Sequence, residues 1–170
     1  MLDYLTFETM LGWVLVAESP AGIALVEFIG PKCPSREEAT SAVLKEYPGE
    51  SVGPGSDSGL LGRARAYVLE YFHNRKPLPD IALDLQKGTV FDRSVWEAIG
   101  AIPFGETRSY AEIARATGSP GAFRAAGRAC GRNPVPLFIP CHRVVASGGK
   151  LGGYSGGLDK KRALLDLEKS

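Results

Sequence analysis

The chain has 170 residues, 44% of them hydrophobic, which is enough to bury a core as one domain or two small ones. Its longest run without Asp, Glu, Lys or Arg is ten residues, 133–142, which excludes a membrane-spanning helix. Three cysteines without CxxC or zinc-ligand spacing predict free thiols in a reducing cytoplasm, with no bound metal or cofactor.

The first half of the sequence predicts strands followed by helices. The segments "LTFET", "WVLVAE" and "IALVEF", with the turn "SPAG", indicate an antiparallel meander. Two helices follow, "SREEATSAVLKEY" opened by Ser35 and "LLGRARAYVLEYFHN", separated by a Pro/Gly/Ser-rich loop at 48–58. The segment "KPLPDIALDLQ" returns the chain through a strand or connector. We therefore place a domain boundary near residues 78–88, giving domains 1–83 and 84–170.

The second half predicts three helices in succession. "TVFDRSVWEAIGAI" begins with Thr89 and Asp92 in near capping-box positions, and "SYAEIARATG" begins with a complete Ser-x-x-Glu box. Ser119 is expected to cap the third helix, which Pro120 begins and "GAFRAAGRACGRN" continues. Two short helices joined by a glycine-containing turn are typical of a helix-turn-helix, although many other helical pairs share this pattern.

Charge is distributed unevenly along the chain, although the net charge is only +1. Residues 1–85 hold 7 Lys/Arg and 12 Asp/Glu (net −5), whereas residues 86–170 hold 13 and 7 (net +6). Residues 113–158 contain no acid and six basic residues: Arg115, Arg124, Arg128, Arg132, Arg143 and Lys150. A long segment of one sign favours a polyanionic partner, here nucleic acid. The alternative is that acids of the first half pair with these arginines.

Three of these arginines follow a helical repeat in the third predicted helix. Arg124, Arg128 and Arg132 are spaced i, i+4, i+8, which places them on one face. Small residues between them would let the helix backbone approach a partner closely. The pattern predicts a DNA-facing helix, with a solvated basic face as the alternative.

The segment "IPCHRVV" places a cysteine beside one of only two histidines. A free thiol has a pKa of about 8.5, so Cys141 needs a base or a positive field before it can attack. Glu168 shares the apolar face of the helix "LDKKRALLDLE" with Leu164 and Leu165, and a carboxylate there requires a polar partner. If His142 is that partner, the three residues form a nucleophile, base and orienter. A structural cysteine and a solvent-exposed glutamate remain the alternatives.

The loop "SGGKLGGYSGG" at 147–157 contains three Gly-Gly pairs around Tyr154. It does not match a phosphate-binding loop, because Leu151 follows Lys150 where Ser or Thr is required. Its bare backbone groups suit a flat ligand with polar edges, such as a nucleobase. A plain flexible loop is the alternative.

Taken together, "NPVPLFIPCHRVVASGGKLGGYSGG", "KRALLDLE" and the upstream "VWEAIGAIPFGETRSYAEIARATG" resemble the O6-alkylguanine-DNA alkyltransferases, most closely over residues 89–168. The resemblance implies an α/β protein with a ribonuclease-H-like N-terminal scaffold and a mainly helical, winged helix-turn-helix-like C-terminal domain. It implies that double-stranded DNA carrying O6-alkylguanine, and as a further candidate O4-alkylthymine, is bound through the minor groove with the damaged base flipped out. The alkyl group then passes irreversibly to the protein, which is consumed. A cytoplasmic monomer without membrane contact is implied.

The resemblance also implies roles for individual residues. Cys141 matches the alkyl acceptor, His142 the base that deprotonates it through a water, and Glu168 the orienting acid. Asn133 matches the residue that ties the recognition helix to the active-site turn. Tyr110 matches a tyrosine that crowds the DNA phosphate and helps to protonate the leaving guanine.

Further residues match the binding surfaces of the family. The base pocket matches Val144, Tyr154, Ser155 and Gly156, together with Tyr110. The DNA-binding helix matches Ala125, Arg124, Arg128 and Arg132. Of these, Arg124 matches the arginine that fills the gap left by the flipped base, and Arg128 departs from the small residue that is common there. Zinc ligands in the N-terminal half are absent from the sequence, where Cys33 stands alone.

Two other functions remain open. A thiol hydrolase could use the same three residues, but the arginine-rich helix would then have no role. A non-catalytic helix-turn-helix protein that flags damage would resemble this chain but lack the reactive cysteine, and Cys141 argues against it.

Overall fold

A computed structural model describes residues 1–169, which form two compact units, Met1–Asp84 and a second that begins at Leu85. Within these residues, six α-helices and two β-sheets make a mixed α/β protein, the predicted class. No helix among them is long and apolar enough to span a membrane.

The first unit is built on a four-stranded sheet of order β3-β2-β1-β4. The predicted meander is confirmed, because β1 pairs antiparallel with β2 and β2 with β3. The edge strand β4 lies in the segment predicted as a plain loop and pairs parallel with β1. That prediction was wrong because the pairing partner is distant in sequence: the Leu2 N–H donates to the Ser51 carbonyl (2.8 Å). The strands are β1 (Leu2–Thr9), β2 (Gly12–Ser19), β3 (Gly22–Gly30) and β4 (Val52–Pro54).

Two helices cover this sheet, α1 (Arg36–Glu46) and α2 (Gly59–Asn74). Ser35 and Glu38 form a capping box at the start of α1, as expected for a helix opened by Ser35. Residues of α1 join a core cluster with Leu15 and the strands around it, while α2 contacts β1, β2 and β3. The centre of β2 is therefore buried on both faces, so that it lacks the alternation of a half-exposed strand. The connector after α2 makes only an isolated bridge, Ile23 to Leu83.

The second unit is mainly helical. Its helices are α3 (Val90–Gly100), α4 (Tyr110–Ala116), α5 (Phe123–Gly131) and α6 (Leu158–Lys169), and a short parallel pair joins β5 (Arg108–Ser109) to β6 (Val144–Val145). Both α3 and α4 begin with complete capping boxes, which confirms the helix starts predicted at Thr89 and Ser109.

Helix α5 begins later than predicted. Ser119 does not cap it; the Ala122 N–H donates to the Ser119 carbonyl (2.8 Å) in a separate turn, and the helix begins at Phe123. The Trp96 indole of α3 donates to the Ala129 carbonyl (2.8 Å), which anchors the C-terminal end of α5. One face of α5 is thus buried at Ala126, Ala129 and Cys130, and the other is left to solvent.

Candidate active site

The segment around Cys141 is a tight turn rather than a strand. Cys141–Arg143 form one turn of 3-10 helix, in which the Arg143 N–H donates to the Pro140 carbonyl (2.9 Å). The Cys141 N–H donates to the Ile139 carbonyl (2.7 Å). Cys141 and His142 are both buried. Since the backbone is not extended here, the side chains of Cys141 and His142 are not forced onto opposite faces, as they would be in a strand.

Asn133 joins the end of α5 to this turn. Its side-chain amide donates to the Ile139 carbonyl (2.8 Å), and its side-chain oxygen accepts from the Val135 N–H (3.0 Å). Its own N–H donates to the Cys130 carbonyl at 3.3 Å. A buried amide that satisfies groups on both segments fixes the distance between the helix and the residue that precedes Pro140.

His142 and Glu168 form a buried pair. The His142 Nε2 lies 2.7 Å from the Glu168 Oε1, and both side chains are essentially inaccessible to solvent. The other ring nitrogen, Nδ1, has no hydrogen-bond partner among residues 1–169. Burial lowers the pKa of His142, and the nearby cations Arg143 and Lys161 act in the same direction, although Glu168 opposes them. The imidazole is therefore neutral near pH 7, with one nitrogen able to accept a proton.

Glu168 has a second partner that the sequence analysis missed. Arg143 donates to both carboxylate oxygens, from Nε to Oε2 (2.9 Å) and from Nη2 to Oε1 (3.0 Å), and its Nη1 donates to the Ile102 carbonyl (2.7 Å). The Gly105 N–H also donates to Oε2 (3.1 Å). Counting Arg143 among charges available to nucleic acid was wrong, because it is buried against a carboxylate just beyond the acid-free segment. The position of Glu168 on an apolar helix face could have predicted a buried cation as its partner, because a buried carboxylate requires one.

Lys161 is the second residue that was missed. It is fully buried on α6, and its Nζ donates to the carbonyls of Val144 (2.6 Å), Gly153 (3.0 Å) and Leu151. One side chain thus joins the strand after the active-site turn to the glycine-rich loop. Burial lowers the pKa of Lys161, and the two thiols Cys130 and Cys141 act against that shift. Its spacing from Leu164, Leu165 and Glu168 places it on their helical face, which could have identified it.

Tyr110 lies against the same loop. Its hydroxyl donates to the Gly153 carbonyl at 3.4 Å, and burial raises its pKa to about 12. Gly152 has a φ of 69°, and a Cβ there would lie 3.0 Å from the Tyr110 ring, so the close approach requires glycine.

The other predicted pocket residues are spread along these segments. Val144 is buried in β6, with its carbonyl bound by Lys161. In the loop, Tyr154 and Gly156 are partly buried and Ser155 is exposed. The structure thus brings Tyr110 and Val144 to the loop through Gly153 and Lys161, and leaves Ser155 facing solvent.

The thiol of Cys141 has surroundings that favour its ionised form. Its pKa is lowered, first by the neighbouring Cys130 thiol and further by the Asn133 side chain and the Lys161 charge, while burial acts in the opposite direction. A thiolate is the nucleophilic form of cysteine, so these neighbours increase the reactive fraction near pH 7. Among residues 1–169, no three His, Cys, Asp or Glu side chains are grouped as metal ligands.

The exposed face of α5 presents two of the three predicted arginines. Arg124 and Arg128 are exposed, with half-buried Ala125 between them, and the Arg124 guanidinium carbon lies 5.8 Å from the centre of the Phe123 ring. Arg132 follows the last helical residue and pairs with the buried Asp92 of α3. Arg132 caps the helix, with its N–H bound to the Arg128 carbonyl (3.1 Å), so its half-exposed side chain follows the other two arginines but is already engaged by Asp92.

Comparison with known proteins agrees with this geometry. The family described as "6-O-methylguanine DNA methyltransferase, DNA binding domain" matches residues 90–170. A methylated-DNA–protein-cysteine methyltransferase of Mycolicibacterium paratuberculosis is 54% identical over 152 residues, which cover 89% of each chain. The constitutive enzyme of that name from Bacillus subtilis is 38% identical over 98% of this chain and 94% of its own.

A solved structure extends the similarity to the whole described fold. The crystal structure of Mycobacterium tuberculosis OGT in complex with DNA matches with a TM-score of 0.80 and 38% identity, covering 98% of this chain and 92% of that one. The resemblance seen in the sequence is thereby confirmed, and it includes the N-terminal half. The chain belongs to the methylated-DNA–protein-cysteine methyltransferase family.

Proposed function

We infer that this protein repairs alkylated DNA by taking the alkyl group from O6 of guanine onto one of its own cysteines, and we propose Cys141 as that cysteine. The observation that supports the assignment best is the buried turn in which Cys141 is followed by His142, whose Nε2 is bound to Glu168 and whose Nδ1 has no partner in residues 1–169. The relatives are named for this activity, and OGT is solved with DNA.

The proposed reaction is a displacement at a saturated carbon. His142 accepts the Cys141 proton through a water, a sulfur–carbon bond forms, and the bond between the alkyl carbon and guanine O6 breaks. Glu168 holds the imidazole in the tautomer that leaves Nδ1 able to accept, and stabilises the imidazolium that results. The product is a thioether, which water does not cleave as it cleaves a thioester, so each molecule acts once.

Tyr110 is proposed to help to protonate the leaving base by donating a hydrogen bond to it, with water as the final source of the proton. With a pKa raised to about 12, its hydroxyl stays protonated across the physiological range. It lies beside Gly153 in the loop that we propose forms the base pocket with Val144, Tyr154, Ser155 and Gly156. The raised pKa makes the hydroxyl a weak acid, so its contribution is a hydrogen bond to the negative charge that develops on the leaving base.

Helix α5 is proposed to approach DNA through the minor groove. Its exposed face combines Arg124 and Arg128 with small residues, so the backbone can come close to a narrow groove. The reacting atom lies inside the duplex, so the base has to be flipped out. We propose that Arg124 enters the stack in its place, whereas Arg128 contacts phosphate. Because Arg132 is already paired with Asp92, its contribution to DNA binding is expected to be the smallest of the three.

Replacing Arg124 by lysine tests this division of roles. Lysine keeps the charge but has no planar group to stack between bases, so we expect slower alkyl transfer on duplex DNA. Since flipping costs a few kcal/mol, the slowing should be roughly ten- to a hundredfold. Single-turnover rates on duplex DNA and on free O6-methylguanine measure the effect, which should be much smaller on the free base.

Arg128→Lys is the matched control for Arg124→Lys. A phosphate contact needs only the charge, so this variant should react nearly normally on both substrates, with an unchanged salt dependence of binding. If Arg124→Lys lowered the rate of alkyl transfer equally on duplex DNA and on the free base, Arg124 would not act by stacking and would instead be a phosphate contact.

Lys161 is proposed to hold the pocket loop in place, and Lys161→Met tests this. Methionine fills similar space without donating to Val144, Leu151 or Gly153, so we expect transfer to slow roughly tenfold or more, the scale of one lost charge-assisted hydrogen bond. The loss should appear on duplex and free base alike, together with faster hydrogen exchange at residues 150–157. The exposed Lys169 provides a control, Lys169→Met, that should leave both unchanged. Normal rates in Lys161→Met would remove the proposed role.

The finer architecture is also a proposal. We assign residues 1–83 to a ribonuclease-H-like scaffold and 84–170 to a winged helix-turn-helix-like domain for DNA binding and alkyl transfer. The antiparallel β1–β3 meander with β4 parallel to β1 supports the first assignment. The succession α4–turn–α5, with the β5–β6 pair, supports the second. A compartment that contains DNA and keeps thiols reduced, the cytoplasm in a bacterium, suits both substrate and nucleophile.

Intact-protein mass spectrometry after exposure to an O6-methylguanine oligonucleotide tests the proposed function directly. We expect the mass of one methyl group, located at Cys141 by peptide mapping, and no second turnover. An unchanged mass with retained DNA binding would indicate a non-catalytic damage-binding protein instead. Repeated cleavage of activated esters would indicate a thiol hydrolase.

A further inference from the structure

A second buried thiol lies against the active-site turn, and none of the reaction steps described above uses it as a donor or an acceptor. Cys130 is in the last turn of α5, 7% exposed, and its Sγ lies 3.9 Å from the carbonyl oxygen of Cys141. Its own carbonyl accepts from the Asn133 N–H (3.3 Å), so its backbone is fixed by the residue that also binds the Ile139 carbonyl. Cys130 is therefore held beside Cys141 by burial, by the hydrogen bond of its thiol to the Cys141 carbonyl, and by the hydrogen bond of its own carbonyl to Asn133.

The groups around this pair of thiols leave Cys130 as a donor. Lys161 of α6 and Tyr110 of α4 interact electrostatically with both thiols, and His142 follows Cys141 in the turn. On α3, which also packs against α5, the buried Asp92 is already paired with Arg132, and Glu168 neutralises Arg143 behind the histidine. The pKa of Cys130 is raised, through the interaction with Cys141 and through burial, whereas that of Cys141 is lowered. When one of the two sulfurs ionises it is thus Cys141, and Cys130 keeps its S–H.

We propose that Cys130 is a positioning residue for alkyl transfer: its thiol shifts its hydrogen bond from the Cys141 carbonyl to the Cys141 sulfur when His142 removes the proton. The sulfur is then oriented by an S–H donor from α5. The proposal rests on the proposed function, since it assumes that Cys141 is the alkyl acceptor.

The arrangement places the donor on the helix that we propose contacts DNA. Cys130 lies on the buried face of α5, and Arg124 and Arg128 lie on the exposed face of the same nine-residue helix. A displacement of α5 on binding would therefore move a hydrogen-bond donor of the nucleophile directly.

Two kinds of variant separate hydrogen bonding from packing. Cys130→Ala removes the donor, and Cys130→Ser keeps an O–H donor in a side chain of similar shape. The readout is the rate at which a haloacetamide alkylates Cys141 as a function of pH, followed by peptide mass so that Cys33 does not interfere. This reagent needs no DNA, so the result does not depend on whether Cys141 accepts methyl groups from DNA.

For Cys130→Ala we expect the midpoint of the pH–rate profile to rise by about one unit, with a roughly tenfold slower reaction at neutral pH and no loss at high pH. Cys130→Ser should follow the wild-type profile closely. A Cys130→Ala profile that superimposes on the wild type, or an equal loss at every pH in both variants, would overturn the proposal. Cys130→Val, which also lacks a donor and has nearly the same volume, provides the same comparison if Cys130→Ala does not fold.

Discussion

Cys141→Ser is expected to abolish methyl transfer while leaving the binding of duplex DNA nearly unchanged. A serine hydroxyl is far less acidic than a thiol, and neutral His142 cannot generate useful amounts of its anion. The neighbours that favour a thiolate, Cys130, Asn133 and Lys161, cannot overcome that difference. We expect a loss of at least roughly a thousandfold, measured as the single-turnover rate on an O6-methylguanine duplex by intact-protein mass.

Binding should survive because most of the affinity of such proteins comes from contacts to phosphate, which the buried Cys141 does not make. Titration of labelled duplex at several salt concentrations checks this part. Cys33→Ser is the matched control, since Cys33 is exposed and should be dispensable for both binding and transfer. Methyl transfer retained in Cys141→Ser would place the acceptor at another residue.

Glu168→Gln is expected to damage both stability and catalysis. Glu168 is the only carboxylate that the structure shows bound to buried Arg143 within residues 1–169, and its Oε1 also binds His142. Glutamine would leave the guanidinium buried without a countercharge, and would direct an amide NH2 group towards a donor. Breaking a buried pair in this way costs about 3–5 kcal/mol. A substitution that looks conservative in the sequence is thus predicted to destabilise the second unit.

Urea unfolding of the wild type and of Glu168→Gln measures the loss of stability. Glu97→Gln, on the exposed surface of α3, is the control for an acid-to-amide change. The loss of catalysis is measured as the rate of alkyl transfer under conditions where the variant is folded. Because the thiolate forms unaided at high pH, the deficit in rate should shrink as pH rises. A deficit that stays constant with pH would contradict the role of Glu168 in orienting the base, and unchanged stability would contradict the buried pairing.

Local signals predicted much of the fold. The helix starts at Ser35, Thr89 and Ser109 were predicted correctly because the groups that cap each helix lie within four residues of one another. Strand β4 was missed because its backbone pairs with a strand 50 residues earlier. The start of α5 was misplaced because Ser119 and Pro120, good capping residues, instead form a turn of their own.

In the candidate site too, the residues marked by local sequence patterns were predicted, and their distant partners were not. Cys141 and His142 are adjacent in sequence, and an acid on an apolar helical face drew attention to Glu168. The partners Arg143, Lys161 and Cys130 were not predicted, because each satisfies or perturbs a group that is far away along the chain. The roles proposed for individual residues came from the family resemblance, and the structure adds contacts that support them.

The three hydrogen bonds of Lys161 limit which residues can be changed to make the protein accept larger alkyl groups. They hold the pocket loop at Leu151 and Gly153, while Gly152 has no room for a side chain beside Tyr110. A side chain at Gly152 would collide with the Tyr110 ring, whereas the carbonyls that Lys161 binds belong to the backbone and stay available whatever the side chains of residues 151 and 153. Libraries intended to accept bulkier labels should therefore leave Gly152 and Lys161 unchanged and vary Ser155 and Gly156.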